Sequence, residues 1–364
     1  MSCELISMYL PQFHPIPEND EWWGRGFTEW TNVARARPKF RKHYQPRLPL
    51  DLGFYDLRLS ETREAQAELA RQYGIHGFCY YHYWFNGKRL LERPFAEVLA
   101  SGSPNFPFCL CWANENWTRR WDGREDQALI TQRYSPEDDR AHIRSVLPAF
   151  GDPRYIRVDG KPFFAVYRTA HMPEPQRTAE RWREEARQAG IGELFLARFE
   201  AWDGNQSPDP RSMGFDAAIE FAPDWRRTGG QAYSTWKAKL LMHSGFLPKA
   251  YSENRFFDYR LMARTMMNRP DPGYPLLRCV TPGFDNSARR KTGAQIVENS
   301  SPQEYEAWLG NTIKWSTDRR TSPPFVFINA WNEWAEGNHL EPDTRYGRAY
   351  LEATLRALQA SSPT

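Results

Sequence analysis

A (β/α)8 TIM barrel with elaborated βα loops is the fold class the sequence predicts, and three observations predict it. Eight apolar, β-branched or aromatic runs recur along the chain, helical spacing fills most of the gaps, and several runs are almost continuously apolar. Strand and helix in alternation imply parallel pairing, and strands apolar throughout imply cover on both faces. A closed barrel satisfies both conditions. No Gly-x-Gly-x-x-Gly follows an early strand and no Walker-type Gly-Lys-Ser/Thr occurs, so the doubly wound nucleotide-binding alternative lacks its signature.

The strand-like runs fall at residues 5–10, 77–83, 107–113, 162–167, 194–199, 216–221, 276–281 and 324–330. Helical spacing occupies 60–73, 91–99, 136–150, 174–189, 302–317 and 345–358. Punctuation supports these bounds. Ser60 precedes Glu61 and Glu64, Ser135 precedes Pro136 and Asp138, and Ser301 precedes Pro302 and Glu304, as cap, first-turn proline and capping-box rules require. Gly74 and Gly190 close their helices.

Long stretches follow the first, third and sixth runs, at 11–56, 114–135 and 223–271. All three fall on the barrel face that carries chemistry. The last contains helical residues at 236–241 and 259–267 and is read as a loop or helical insertion on the active-site face. At 364 residues the chain fits one such domain, 1–364.

Composition narrows the function classes. Hydrophobic residues at 40% and charged residues at 26% describe a globular chain with a substantial core. A net charge of +3, from 48 basic and 45 acidic residues, is too even to favour nucleic acid or an anionic membrane. No segment approaches the ~18 apolar residues of a membrane span. Met1-Ser2-Cys3-Glu4 leads into only a short apolar stretch, so no signal peptide is predicted and a cytoplasmic location is the expectation. Five cysteines, Cys3, Cys79, Cys109, Cys111 and Cys279, are an odd number set mostly in apolar runs, and are read as reduced thiols. Cys109 and Cys111 share a strand face without the spacing of a zinc or redox motif, and the eight histidines form no His-x-His or His-x-x-x-His pair. Neither a metal nor a cofactor is expected.

Aromatic residues are the outlier, with 15 Trp, 17 Tyr and 22 Phe, the indoles lying beside Asn, Glu, Asp and Arg. Flat rings among polar groups suit pyranose faces, and an oligo- or polysaccharide is the expected partner. The sharpest feature is the run Pro324 to Ala330 discharging into Trp331-Asn332-Glu333-Trp334-Ala335-Glu336-Gly337. Glycosidic cleavage calls for one carboxylic acid to protonate the leaving oxygen and a second carboxylate to assist attack at the anomeric carbon. Glu333 and Glu336, three residues apart at a strand mouth, are the candidate catalytic pair; the competing reading makes them structural partners for Arg or backbone amides.

Strand tips supply the candidate substrate contacts: Tyr9, Gln12 and His14 after the first run, with Trp30 beyond; Tyr81, His82 and Trp84 on the second; Trp112, Asn114, Glu115 and Trp117 on the third. Glu220 ends the sixth, Asp285 follows the seventh, and Trp331, Asn332, Trp334 and Glu341 accompany the acidic pair. For the histidine and the indoles, core packing is an equally open reading. The basic pairs Arg119-Arg120 and Arg289-Arg290 are read as solvated loop charges before any role in clamping an anionic substituent.

Several blocks carry a resemblance: Tyr9 to His14 with Gly26-Phe27-Thr28-Glu29-Trp30, Phe78 to Phe85, Trp112 to Trp117, Pro282-Gly283-Phe284-Asp285, and Asn332 to Gly337 through Glu341-Pro342. Together they span most of the chain, which resembles the WbsX-type proteins of bacterial polysaccharide loci, themselves similar to the family 99 glycoside hydrolases that cut within α-mannosides. The resemblance implies a retaining, endo-acting route on a mannoside- or rhamnoside-like polysaccharide. Glu333 would take the proton of a sugar 2-hydroxyl, that oxygen would close onto the anomeric carbon as a 1,2-anhydro sugar, and Glu336 would act as acid and then base. Ala335, where the mannosidases commonly carry His, and Asn338-His339 depart from their pattern and bear on the substrate more than on the two acids. Transglycosylation by the same acids is open, since water and a sugar hydroxyl compete for one intermediate. The alternatives are a sugar-nucleotide glycosyltransferase of polysaccharide or O-antigen biosynthesis and a catalytically silent glycan-binding barrel.

Overall fold

The computed structural model describes residues 3–119, 124–200, 208–233, 248–318 and 323–361. Eight parallel strands, β1 (Glu4–Tyr9), β2 (Ile75–Phe85), β3 (Phe108–Trp112), β4 (Lys161–Val166), β5 (Phe195–Phe199), β6 (Ala217–Ile219), β7 (Leu276–Val280) and β8 (Phe325–Ile328), follow one another round a barrel. Closure comes from β1, which pairs with β8 through Leu5 and Val326 and with β2 through Ile6 and Gly77. Each strand coincides with one of the eight predicted runs to within a few residues. Every residue of β3, β7 and β8 is buried, as strands packed on both faces must be.

Two short helices, α1 (Pro17–Trp23) and α2 (Glu29–Arg35), sit in the long loop after β1. The outer layer is built from α3 (Ser60–Gln72), α4 (Arg93–Ser101), α5 (Pro136–Phe150), α6 (Pro175–Gln188), α7 (Tyr259–Met267), α8 (Pro302–Asp318) and α9 (Ala349–Ala360). Between β5 and β6 the described residues hold a 3-10 turn, Pro210–Met213, in place of a longer helix. In the predicted 223–271 stretch, α7 packs its Tyr259, Met262 and Met266 into the main core, whereas residues 236–241 lie outside the described residues.

Local chemistry explains most boundaries. Ser135 accepts from the amide of Asp138 at 3.1 Å and Ser301 from that of Glu304 at 3.3 Å, so both predicted caps form. Ser60 does not cap: Leu59 holds the cap position and the Ser60 hydroxyl donates to Glu61 instead. The last helix begins at Ala349, four residues later than its apolar spacing suggests, because Asp343 holds the amides of Arg345 and Tyr346 in a preceding turn at 2.9 and 2.6 Å. Gly77 is where β2 meets the entry to β3. A Cβ there would stand 2.6 Å from the Pro107 carbonyl oxygen, so only glycine fits.

All five cysteines are buried free thiols. Among the described residues no helix is long and apolar enough to cross a membrane.

Candidate active site

Strand polarity decides which side chains meet. The tips following β1, β2, β3, β4, β6, β7 and β8 open onto one cleft of about 520 Å3 at the C-terminal mouth of the barrel. Successive residues of a strand point to opposite faces, so Tyr81 and Tyr83 of β2 line the cleft. His82 and Trp84, between and beside them, face the outer helices. His82 shares a 3.1 Å hydrogen bond with His142 of α5, and the Trp84 indole donates to Asp138 at 3.0 Å. The fully buried Trp112 packs on His142 at 4.4 Å and on Trp182 of α6 at 5.8 Å. These three expected contacts therefore lie in the strand-helix layer, away from the cleft. Burial pushes the His82 pKa down to about 3 and that of His142 down as well, so both rings are neutral packing groups.

Two asparagines clamp neighbouring strand tips. Asn332 accepts from the amide of Leu10 at 2.7 Å and donates to its carbonyl at 3.0 Å, joining the end of β8 to the end of β1. Asn114 does the same across β3 and β4, accepting from the Arg168 amide at 2.7 Å and donating to its carbonyl at 2.8 Å. In each case the next residue, Glu333 or Glu115, reaches the cleft. Both asparagines, predicted to touch substrate, instead fix the backbone that presents a glutamate. The Asn332→Ala variant leaves the Leu10 amide and carbonyl without their side-chain partners in a buried setting. It is expected to cost about 2–4 kcal/mol in denaturant unfolding; a loss within error of zero would show the clamp to be dispensable.

The acidic pair lies on the short segment after β8, Glu333 in a two-residue strand and Glu336 ending the 3-10 turn Trp334–Glu336. Arg289, which follows the 3-10 turn Asn286–Ala288, joins them: one terminal nitrogen donates to Glu333 Oε2 at 3.0 Å and the other to Glu336 Oε1 at 2.6 Å. Its Nε donates at 3.1 Å to Glu29 of α2, which also receives a bond from Nη2. Arg289 is thus a half-buried bridge at the cleft and not the solvated loop charge its basic pair suggested. Three carboxylates converging on one guanidinium outweigh its charge. Burial pushes the Glu333 carboxyl up to about 8, Arg289 pulls against that rise, and Glu336 and Glu29 add to it. Burial likewise raises Glu29 against the pull of Arg289. Burial by itself would lower the Arg289 pKa, but Glu29, Glu336 and Glu333 overturn this and raise it.

Aromatic rings wall the cleft on both sides of these acids. Trp117 packs edge-on against Tyr83 at 5.1 Å and Trp22 at 5.8 Å, while Trp225 packs edge-on against Phe284 at 4.9 Å. Trp23, Tyr167 and Phe221 complete these walls. Gln12 and Glu115 also reach the cleft, the latter accepting from Arg168 Nε at 2.8 Å. Of the predicted contacts, the structure thus brings Gln12, Tyr81, Glu115 and Trp117 together with Glu333 and Glu336.

Others stand behind the cleft. Trp331 is fully buried against Phe78, and Trp334 stacks on His339 at 3.8 Å and meets Trp30 at 5.5 Å. Glu341 accepts from the Trp334 indole at 2.6 Å, from Tyr55 at 2.9 Å and from Gln66 at 2.6 Å, and Tyr9 in turn donates to Gln66 at 2.6 Å. This network braces the segment from beneath. Burial still pushes Glu341 up to about 7 despite those donors. His14 is buried, which pushes its pKa down to about 4. Asp285 pairs with His43 at 2.8 Å and caps Ser287 at 3.0 Å. Glu220 forms buried ion pairs with Arg278 at 3.2 Å and Arg269 at 3.4 Å. Arg120 lies outside the described residues.

A closed eight-stranded parallel barrel with its acids gathered at the strand mouths is a (β/α)8 TIM-barrel fold, one shared with solved glycoside hydrolases. The GH99 endo-alpha-mannosidase from Bacteroides thetaiotaomicron superposes with a TM-score of 0.59 at 14% identity, over 98% of this chain and 97% of that one. A structure described as a glycoside hydrolase-like protein gives 0.60 at 14% identity, over 98% and 94%. The sequence itself matches the family described as Glycosyltransferase WbsX over residues 5–354, and the chain belongs to that family. It is 49% identical over 359 residues to the protein WxcX of Xanthomonas campestris pv. campestris (strain B100), covering 98% of this chain and 50% of that protein. WxcX of strain ATCC 33913 is 48% identical over the same span. The chain therefore spans about half the length of the curated relatives it matches.

Proposed function

We propose that this chain is a retaining, endo-acting glycoside hydrolase or transglycosylase acting on a bacterial polysaccharide of mannoside or rhamnoside type, with Glu333 and Glu336 as its working acids. The observation that carries the reading is the side-by-side placement of the two carboxylates on one guanidinium inside an aromatic cleft. Paired acids do proton work on a bond held between them, and rings on both sides suit a glycan that runs through the cleft.

In the proposed route Glu333 accepts the 2-hydroxyl proton as O2 attacks C1. The bond from C1 to the leaving sugar oxygen breaks, and that oxygen takes a proton from Glu336. Water, or an acceptor sugar hydroxyl, then opens the 1,2-anhydro ring at C1, giving its proton to Glu336 while Glu333 returns its own to O2. Atoms, charge and configuration balance without a covalent enzyme link. The likeness to an endo-alpha-mannosidase fold is consistent with this order of events.

The family's own description favours a second reading, a transferase that uses a nucleotide sugar. Incubation of the full chain with defined manno- and rhamno-oligosaccharides, reading new reducing ends, separates the two when run beside calorimetry with nucleotide sugars. Cleavage without nucleotide binding is expected. Nucleotide-sugar binding with no release of reducing ends would replace the hydrolase reading by the transferase one.

A further inference from the structure

Glu29 and Arg289 are 260 residues apart in sequence, and no cleft motif of the kind read above includes both. Glu29 is fully buried on α2, where its carboxylate meets the guanidinium that also holds Glu333 and Glu336, and the backbone of Ala335 between them. A buried carboxylate is costly unless it is paired or employed, and one cation cannot neutralise three of them. We propose that Arg289 and Glu29 are positioning residues for the acid pair: Arg289 holds Glu333 and Glu336 side by side, and Glu29 anchors that guanidinium from behind and sets negative charge beside Glu333. This rests on the reading of Glu333 and Glu336 as the working acids.

The geometry assigns a distinct part to each group. Because Arg289 spends Nε on Glu29 and both terminal nitrogens on the pair, its planar fork is fixed at three points. Lysine keeps the charge but cannot reproduce that fork. Glu29 contributes negative charge beside Glu333 without entering the cleft, and so favours the protonated form of Glu333. The phenols of Tyr81 and Tyr83 lie beside Glu333 and that of Tyr167 beside Glu336, and Glu115, Arg168 and Arg290 line the same cleft. All three phenols are held in their neutral form by burial, and Arg289 and Glu29 are the groups bonded into one cluster with the pair.

The test compares the full chain with its Glu29→Gln and Arg289→Lys variants. In Glu29→Gln the acidic limb of the pH profile for kcat/KM, on which Glu333 must lose its proton, is expected to move down by about one pH unit, a tenfold gain in the ionised fraction on that limb. Arg289→Lys is expected to lower kcat by roughly tenfold or more, a larger change than any in KM, since the fork aligns the acids. A Glu29→Gln profile superimposable on the original, or an Arg289→Lys variant with unchanged kcat, overturns the proposal.

A readout that needs no turnover keeps this separate from the functional reading. Melting temperature against pH should fall from the ordinary carboxyl range up to about 8 in the unaltered protein, because folded Glu333 binds its proton more tightly than the unfolded chain does. In Glu29→Gln that fall should end at a lower pH. Altered melting curves with no glycosidase activity would retain the charge coupling and reject only the hydrolase. Unaltered curves in a folded Glu29→Gln variant reject the coupling.

Discussion

The Glu336→Gln variant is expected to lose roughly a thousandfold in turnover on an unactivated glycan, in line with the removal of a general acid. Its KM should change little. The amide keeps the shape of the carboxyl and can still meet Arg289 through its oxygen, but it cannot deliver a proton to the leaving sugar. A glycosyl fluoride or nitrophenyl glycoside needs no such proton, so bond breaking in that substrate should be largely spared. Its second step still lacks a base for water, and an added anion such as azide, which needs no deprotonation, should restore flux and give a glycosyl azide with retained configuration. Product analysis by NMR checks all three outcomes. Undiminished cleavage of the unactivated glycan would remove Glu336 from the chemistry.

Glu333→Gln should be impaired to a similar degree, about 10^3-fold, with a different pattern. Attack by O2 requires a base whatever the leaving group, so an activated substrate should bring no relief. The same substitution should stabilise the fold at alkaline pH. Folded Glu333 has its pKa raised, so the folded state holds the extra proton between the ordinary carboxyl range and about 8, and stability falls as pH climbs through that window. Gln at this position removes the fall. Above it the variant should exceed the original by about 1–3 kcal/mol, short of the total that about 1.36 kcal/mol for each unit of the rise would give, because Arg289 loses a partner. Near pH 4 the two should be alike. Equal stability at both extremes would mean that Glu333 titrates normally in the fold.

The barrel was legible because burial on both faces leaves several strands almost continuously apolar, and because Ser135, Ser301, Gly74 and Gly190 mark helix ends by chemistry that acts within one turn. Glu333 and Glu336 stood out since carboxyls at the end of an apolar run need a reason to be there. What sequence could not supply was side-chain parity at the strand tips. Tyr81 and His82 look equally placed in the aromatic run of β2, and only the pleat sends one into the cleft and the other against His142. Trp112, Trp84 and Trp334 were conspicuous for the same reason and turned out to be struts. Arg289 was misjudged because a basic pair in a loop is usually wet, and its meaning depends on Glu29 and Glu336, which arrive from distant parts of the chain. One hint was available: Glu29 sits between Thr28 and Trp30 in a block that is otherwise apolar or small, an unusual place for a charge without a task.

The hydrogen bonds from Asn332 to Leu10 have a consequence for when the chain can become competent. They unite the first strand with the last, and the carboxyl they present is completed by a guanidinium anchored near the beginning of the chain. Ring closure and assembly of the acids are one event. A nascent or severed polypeptide lacking either end would hold most of the barrel strands without the completed acid cluster, so that on the proposed reading turnover would report on the seam between the two ends of the sheet.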